Sequence, residues 1–125
     1  MKISAILAAA LALAVPAAAL ASPHVVSSSP AAGASVTGPK VLTLGFSEPV
    51  TPASAAASIV MTALPGMANH GEMVIRNFTI QWSDGNRKLT LTLRQPLHTG
   101  TYELRWMAAG ADRSKGTGKV GFVVN

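Results

Sequence analysis

The chain has 125 residues, a net charge of +5 and no cysteine. Without cysteine no disulfide can form, so a small secreted domain of this sequence would depend on apolar packing and backbone pairing for its stability. The ten Lys and Arg residues are scattered along the chain rather than clustered, which argues against a nucleic-acid-binding surface.

The N-terminal residues have the three parts of a secretory signal peptide. Met1-Lys2 is a short basic start, Ile6 to Val15 is an apolar run, and Ala19-Leu20-Ala21 is a small-x-small cleavage site. The apolar run is shorter than the roughly 20 residues that a membrane-spanning helix needs. We therefore expect residues 1–21 to be a signal peptide, and residues 22–125 to form one domain outside the cytoplasm.

Short segments with an alternating apolar pattern follow, as is typical of half-buried β-strands. Weaker strands are predicted near His24–Ser28, Ala56–Thr62 and Val74–Trp82, and clear alternation marks Val41–Phe46, Leu89–Leu93, Tyr102–Trp106 and Val120–Val124. Turn residues such as Asp84-Gly85-Asn86 separate them. Seven strands at this spacing predict an all-β protein, a seven-stranded immunoglobulin-like β-sandwich.

Two local features refine this prediction. The segment from Pro96 to Tyr102 fits a tyrosine corner, in which the hydroxyl of Tyr102 bonds back to upstream backbone. His98, within that segment, is interpreted as a solvated turn residue. The segment from Ala53 to Ala57 is compatible with one helical turn or with a loop that enters a strand.

The segment from Val60 to Met73 places three methionines and one histidine around a Pro-Gly turn. Thioether sulfur and imidazole suit Cu(I), and a thioether binds metal without losing a proton and forms no disulfide. Met61, Met67, His70 and Met73 are therefore candidate Cu(I) ligands. Two alternatives stay open, because Met61 also fits a core position and the loop methionines also suit a docking surface for apolar partners.

Five short motifs occur in order along the chain, and together they carry a family resemblance. They are Pro30–Ala34, Leu44–Glu48, Val60–Met67, Pro96–Tyr102 and Gly118–Phe122. Over residues 24–124 the chain resembles the CopC/PcoC family of periplasmic copper-resistance proteins. The resemblance implies a Greek-key sandwich that binds copper in the periplasm, and we expect it to be a monomer or weak dimer. The resemblance also implies copper exchange with an inner-membrane copper transporter or another periplasmic copper protein.

The resemblance implies two copper sites at opposite ends of the sandwich. The family's Cu(I) loop has the form Met-Thr-x-Met-Pro-Gly-Met followed by His and Met. Met61, Met67, His70 and Met73 match its ligand types, while Leu64 stands where the family has a further Met. Three thioethers and one imidazole still suffice for a three- or four-coordinate soft site.

The family's Cu(II) site departs further from its pattern. That site uses a histidine at the mature N-terminus and an Asp-x-His-Pro motif; here Asp112 matches, but Ser114 stands in place of the second His. His24 lies two residues inside the expected N-terminus, and Pro23 has no amide proton to lose to a chelated metal. We therefore expect His24 and Asp112 to form only a residual Cu(II) end.

The sequence thus favours a copper-resistance or copper-homeostasis protein that carries or buffers Cu(I). The alternative is a metal-free immunoglobulin-like scaffold or partner-docking module. An enzyme is the weakest interpretation, since no Ser-His-acid or paired-carboxylate arrangement is suggested.

Overall fold

The computed structural model describes residues 22–64 and 71–125, so the predicted signal peptide lies outside the described residues. Nine β-strands form within these ranges: β1 (Val25–Ser29), β2 (Ser35–Val36), β3 (Val41–Phe46), β4 (Ala56–Ala63), β5 (Met73–Ile75), β6 (Phe78–Ser83), β7 (Lys88–Leu93), β8 (Gly100–Ala109) and β9 (Lys115–Val124). Of the two possibilities for Ala53 to Ala57, the structure has a 3-10 turn at Pro52–Ser54 followed by β4. No helix of the described residues is long and apolar enough to span a bilayer.

The strands form two sheets that pack as a sandwich, which confirms the predicted fold class. One sheet has the order β1-β3-β7-β6 and the other β2-β9-β8-β4-β5. All pairs are antiparallel except β2 with β9, which is parallel.

The described residues contain more strands than the seven predicted, for two reasons. The predicted strand Val74–Trp82 divides into β5 and β6, which belong to opposite sheets. One strand cannot pair in both sheets, so the chain must leave the ladder between Ile75 and Phe78. The other addition, β2, is a two-residue pairing with the end of β9, too short for an alternating pattern to reveal.

The core lies between the sheets and follows the alternation read from the sequence. Inward side chains alternate with outward ones along each strand because the side-chain period of a strand is two. The buried residues of the four clear strands are Leu42, Leu44, Phe46, Leu89, Leu91, Leu93, Tyr102, Leu104, Trp106, Val120, Phe122 and Val124.

A tyrosine corner closes one end of this core, as predicted. The hydroxyl of Tyr102 donates a hydrogen bond of 2.7 Å to the carbonyl oxygen of His98. The Tyr102 side chain is only 1% exposed, and its ring stacks on Phe122 with centroids 5.6 Å apart. Burial raises the pKa of Tyr102, so the hydroxyl remains a hydrogen-bond donor at neutral pH.

Trp106 occupies the other end of the core and depends on a glycine in the neighbouring strand. Its ring meets Phe46 edge to face, with centroids 5.2 Å apart, and Phe46 also contacts Trp82. A Cβ placed on Gly118 would lie 2.9 Å from atoms of the Trp106 indole. Gly118 therefore provides the space in β9 that Trp106 fills.

We expect Tyr102→Phe to lower the free energy of unfolding by about 1 kcal/mol, because the ring packing is kept and one buried hydrogen bond is lost. Chemical denaturation of the variant beside wild type measures this. Thr92→Val, which removes an exposed hydroxyl from β7, is the control and should change stability little. Equal stability of Tyr102→Phe and wild type would show that the corner hydrogen bond contributes nothing net.

We expect Gly118→Ala to destabilise the fold by about 1–3 kcal/mol, because the added methyl group forces the buried indole to move. Gly121→Ala in the same strand is the matched control, since its Cβ would meet only the backbone oxygen of Tyr102 at 3.9 Å. Thermal unfolding followed by tryptophan fluorescence compares the two. Similar melting temperatures for both variants would contradict the tight fit of Trp106 against Gly118.

Candidate metal centre

Two of the predicted ligands, Met61 and Met73, lie directly opposite each other on paired strands. β4 and β5 are antiparallel, and their register pairs Ile59 with Ile75 and Met61 with Met73. Directly opposed residues project to the same face of a sheet, with Cβ atoms about 4.5–5.5 Å apart. The pairing therefore places both thioethers at one end of the sandwich.

The two methionines differ in their access to solvent. Met61 is 6% exposed and belongs to the core, whereas the side chain of Met73 is 50% exposed at the end of the short strand β5. The two alternatives for Met61, ligand or core residue, are thus compatible with each other. Met61 packs in the core yet lies opposite the half-exposed Met73 on the same face of the sheet.

A cavity of about 160 Å³ lies beside this pair and is lined by both methionines. His98 and Tyr102 of the tyrosine corner line it as well, together with Asn77 and Gln95. Met67 and His70, the other two predicted Cu(I) ligands, lie outside the described residues. The structure therefore brings together two of the four predicted ligands and adds one histidine.

His98 is the residue that sequence reasoning assigned to solvent only. It is exposed, as predicted for a turn residue, but the turn that carries it lies against the methionine pair. The signal that would have found it is the tyrosine corner itself. A residue four positions before a corner tyrosine lies close to that tyrosine's cross-strand partners, one of which here is Met61.

Charged side chains near this end lie on the outer face of the sheet, away from the thioethers. Arg105 of β8 donates two hydrogen bonds to the carboxylate of Glu72, from Nη2 to Oε2 at 2.7 Å and from Nη1 to Oε1 at 3.3 Å. It also bonds Glu103, whose second oxygen lies 3.5 Å from Lys119. The hydrogen bonds and charge of Arg105 lower the pKa of Glu72, and the hydrogen bonds to Glu72 and Glu103 raise the pKa of Arg105. Glu72 immediately precedes Met73, so the ion pair between Arg105 and Glu72 anchors the start of β5.

His24 lies where β1 meets β3 and is held by its backbone. Its N–H donates to Oγ of Ser47 at 3.1 Å, and its carbonyl accepts the N–H of Ser47 at 2.8 Å. The imidazole is on an exposed residue, whereas Pro23 just before it is buried with its carbonyl against Gly116. The backbone at His24 is thus fixed from both sides.

Asp112, the other residue predicted at the Cu(II) end, already has partners within its own turn. Its Oδ1 accepts the backbone N–H of Ser114 at 3.0 Å and also the Ser114 hydroxyl. These two bonds lower the pKa of Asp112. Ser114, which stands where the family has a second histidine, therefore satisfies one oxygen of the carboxylate.

One more carboxylate lies near Asp112 and was not singled out from the sequence. Oε1 of Glu48 lies against Gly110, and Oδ1 of Asp112 is 3.4 Å from the point where a Gly110 Cβ would be. Over residues 22–64 and 71–125, no group of three or more His, Cys, Asp or Glu side chains is arranged to hold a metal ion. The thioethers of Met61 and Met73 are ligands of a different type from these four.

The chain matches one protein family and several characterised relatives. Residues 25–125 match the CopC domain. The chain is 36% identical to copper resistance protein C of Pseudomonas syringae pv. tomato over 104 residues, which is 83% of this chain and 81% of that protein. It is 33% identical to copper resistance protein C of Escherichia coli over 120 residues, 96% of this chain and 94% of that protein.

A solved structure shares this fold. The crystal structure of PcoC, a methionine-rich copper resistance protein from Escherichia coli, superposes with a TM-score of 0.74 at 30% identity. The match covers 84% of this chain and 100% of that chain. These matches confirm the resemblance that the five motifs carry.

We expect Glu72→Gln to loosen β5 without unfolding the protein. The variant replaces the Glu72 carboxylate, which pairs with Arg105, by a neutral amide. Exposed ion pairs contribute little to global stability. Hydrogen exchange of the Val74 and Ile75 amides should accelerate. Lys119→Gln is the control, because Lys119 pairs with Glu103 in the same network. Unchanged exchange in Glu72→Gln would show that pairing with β4 alone holds β5.

Proposed function

This chain belongs to the CopC family, and we propose that it is a periplasmic copper-binding protein of copper resistance or homeostasis. Its cargo on this proposal is Cu(I), carried or buffered at the methionine end of the sandwich. The observation that supports the proposal most directly is the opposed pair Met61 and Met73 beside a small cavity.

The chemistry of this pair favours a soft monovalent ion. Thioethers are neutral, soft ligands that select Cu(I), and they need no deprotonation to bind it. Among the described residues, no carboxylate, lysine or arginine lines the cavity, so a bound ion would meet neutral donors only. A third thioether and an imidazole would come from Met67 and His70 of the segment that connects β4 with β5, as the sequence predicts.

The difference in exposure between the two methionines suggests how copper would be exchanged. Met61 is fixed in the core, so its sulfur would keep one position through loading and release. Met73 lies half exposed on a three-residue strand, so it would be the donor that an incoming or departing ion meets first. A site of neutral ligands with one accessible member is suited to passing copper to a transporter or another copper protein.

The opposite end is proposed to bind Cu(II) weakly. Asp112 has one oxygen engaged by Ser114, and Arg113 and Lys115 beside it bring positive charge that repels a cation. Pro23 cannot supply a deprotonated amide to a chelate with His24. Asp112 and His24 are therefore proposed as a residual Cu(II) end and not as a high-affinity site.

The alternative, a metal-free docking module, has one observation in its favour. Met73 and Val74 are both about half exposed on β5, and exposed methionine adapts to apolar partners. The two functions differ in what a thioether-to-alkyl replacement does. Leucine keeps an apolar surface but cannot bind copper, so docking would survive the replacement and copper binding would not.

We expect Met73→Leu to weaken Cu(I) binding by about tenfold or more while the fold stays intact, because one thioether donor is lost and volume is kept. Anaerobic competition with a coloured Cu(I) chelator measures the affinity. Met107→Leu is the matched control, since Met107 is 47% exposed on β8, comparable with Met73 at 50%, and pairs with Ala56 and Thr117 away from the cavity.

A Cu(II) titration of the same sample, followed by tryptophan fluorescence, tests the other end. Weak or absent Cu(II) binding beside tight one-to-one Cu(I) binding would support a Cu(I) carrier. Failure of the wild-type chain to compete for Cu(I) would overturn the proposed function. Equal Cu(I) affinity of Met73→Leu and Met107→Leu would remove Met73 from the site.

A further inference from the structure

We propose that His98 is a Cu(I) ligand, which forms with Met61 and Met73 a three-coordinate site of two sulfurs and one nitrogen on the sandwich itself. The inference rests on the proposed function and deepens it. It assigns an imidazole ligand that the motif comparison did not supply, from a turn at the far side of β4 from β5.

The backbone at His98 is held on both sides. Leu97, the preceding residue, is buried, and its N–H donates to the carbonyl of Pro39 at 3.0 Å. The carbonyl of His98 accepts the Tyr102 hydroxyl at 2.7 Å. The imidazole thus belongs to a turn that two hydrogen bonds fix, as a preorganised ligand requires.

The register of three strands brings this turn to the methionine pair. Met61 is opposite Met73 on one side and opposite Tyr102 on the other, so the three residues form one row across β5, β4 and β8. Tyr102 in turn holds His98. A continuous line of contacts therefore runs from Met73 through Met61 and Tyr102 to His98.

A glycine lets the Met61 side chain approach the turn closely. A Cβ on Gly100 would lie 3.2 Å from the Cε methyl of Met61 and 3.1 Å from the carbonyl of Ala63. The end of the Met61 thioether therefore packs directly on the backbone between His98 and Tyr102. The cavity that Met61, Met73 and His98 share is about 160 Å³, which is ample for one metal ion.

The donor set in this cavity selects the kind of ion. Two thioethers and one imidazole are neutral, and soft sulfur ligands favour Cu(I) over hard cations. Zinc sites in proteins are built from thiolate, imidazole and carboxylate, and only one such ligand lines the cavity within residues 22–64 and 71–125. The cavity is therefore assigned to Cu(I) and not to Zn(II) or Mg(II).

His98 differs from His70 in where it is carried. His70 belongs to the connecting segment, whereas His98 belongs to the corner that packs against the core. A bound copper ion would consequently keep the His98 imidazole as a ligand even if the ligand His70 were removed. A chain without His70 should then retain measurable Cu(I) affinity, and a chain without both histidines should lose much more.

The test is His98→Asn, compared with His70→Asn and with Thr99→Asn as a matched control, since Thr99 is an exposed neighbour in the same turn that does not line the cavity. Asparagine at residue 98 keeps the backbone carbonyl that Tyr102 needs, so the fold should be unaffected. Loss of outer-shell partners alone lowers metal affinity about 10- to 100-fold, so loss of His98 as a direct ligand should cost no less. Anaerobic competition of the purified chain with a Cu(I) chelator measures it.

A second readout separates ligation from a structural role. Cu(I) is diamagnetic, so the ring signals of the three histidines can be followed by NMR as Cu(I) alone is added. The His98 ring signals should shift in proportion to the copper bound, and those of His24 should not. Cu(I) binding with unmoved His98 signals and an unchanged affinity of His98→Asn would overturn this inference while the proposed function stands. Absence of Cu(I) binding by wild type would overturn both.

Discussion

The hydrogen bond from the Tyr102 hydroxyl to the carbonyl of His98 joins the packing of the sandwich to its candidate copper site. Tyr102 is almost fully buried, stacks on Phe122 and lies opposite Met61, so it belongs to the core and to the row of site residues together. Because a corner of this kind fixes a turn against a sheet, it holds His98 in place, while the pairing of β4 with β8 places Met61 opposite Tyr102. The strands that carry Met61 and Met73, β4 and β5, continue the sheet from β8 beside this turn.

At the same end, the charged side chains lie on the outer face of one sheet, and the methionine pair and the cavity lie on its inner side. Arg105, Glu72, Glu103 and Lys119 form their ion pairs on the outer face, while Met61 and the cavity face inward. Alternation along β8 produces this separation, because successive side chains point to opposite faces. The charged face can thus anchor the start of β5 without placing a carboxylate beside a thioether. A site for a soft ion benefits from that arrangement, since a nearby carboxylate would favour harder cations.

The two ends of the sandwich use their polar groups in opposite ways. At the methionine end the described residues that line the cavity, Met61, Met73 and His98 among them, include no carboxylate, lysine or arginine. At the other end one oxygen of Asp112 accepts two hydrogen bonds from Ser114, and the His24 backbone is bonded to Ser47. Ser114 thus gives the neighbouring carboxylate an internal partner at the position where the resemblance leads us to expect a histidine. This contrast underlies the proposal that Cu(I), and not Cu(II), is the principal cargo.

The sequence by itself determined the fold class, the tyrosine corner, the core alternation and the family, because all of these are written in local spacing and motif order. It could not separate β5 from β6, since the apolar pattern continues while the chain changes sheets. It also left Met61 divided between core and ligand; the structure places Met61 in the core, opposite the half-exposed Met73, and its role as a ligand stays a proposal. From the sequence, His98 was interpreted only as a solvated turn residue, because the sequence does not show which residues lie beside that turn. Its nearness to Met61 depends on the register of β4 with β8, and pairing between residues about 40 positions apart is decided only when the whole sandwich folds.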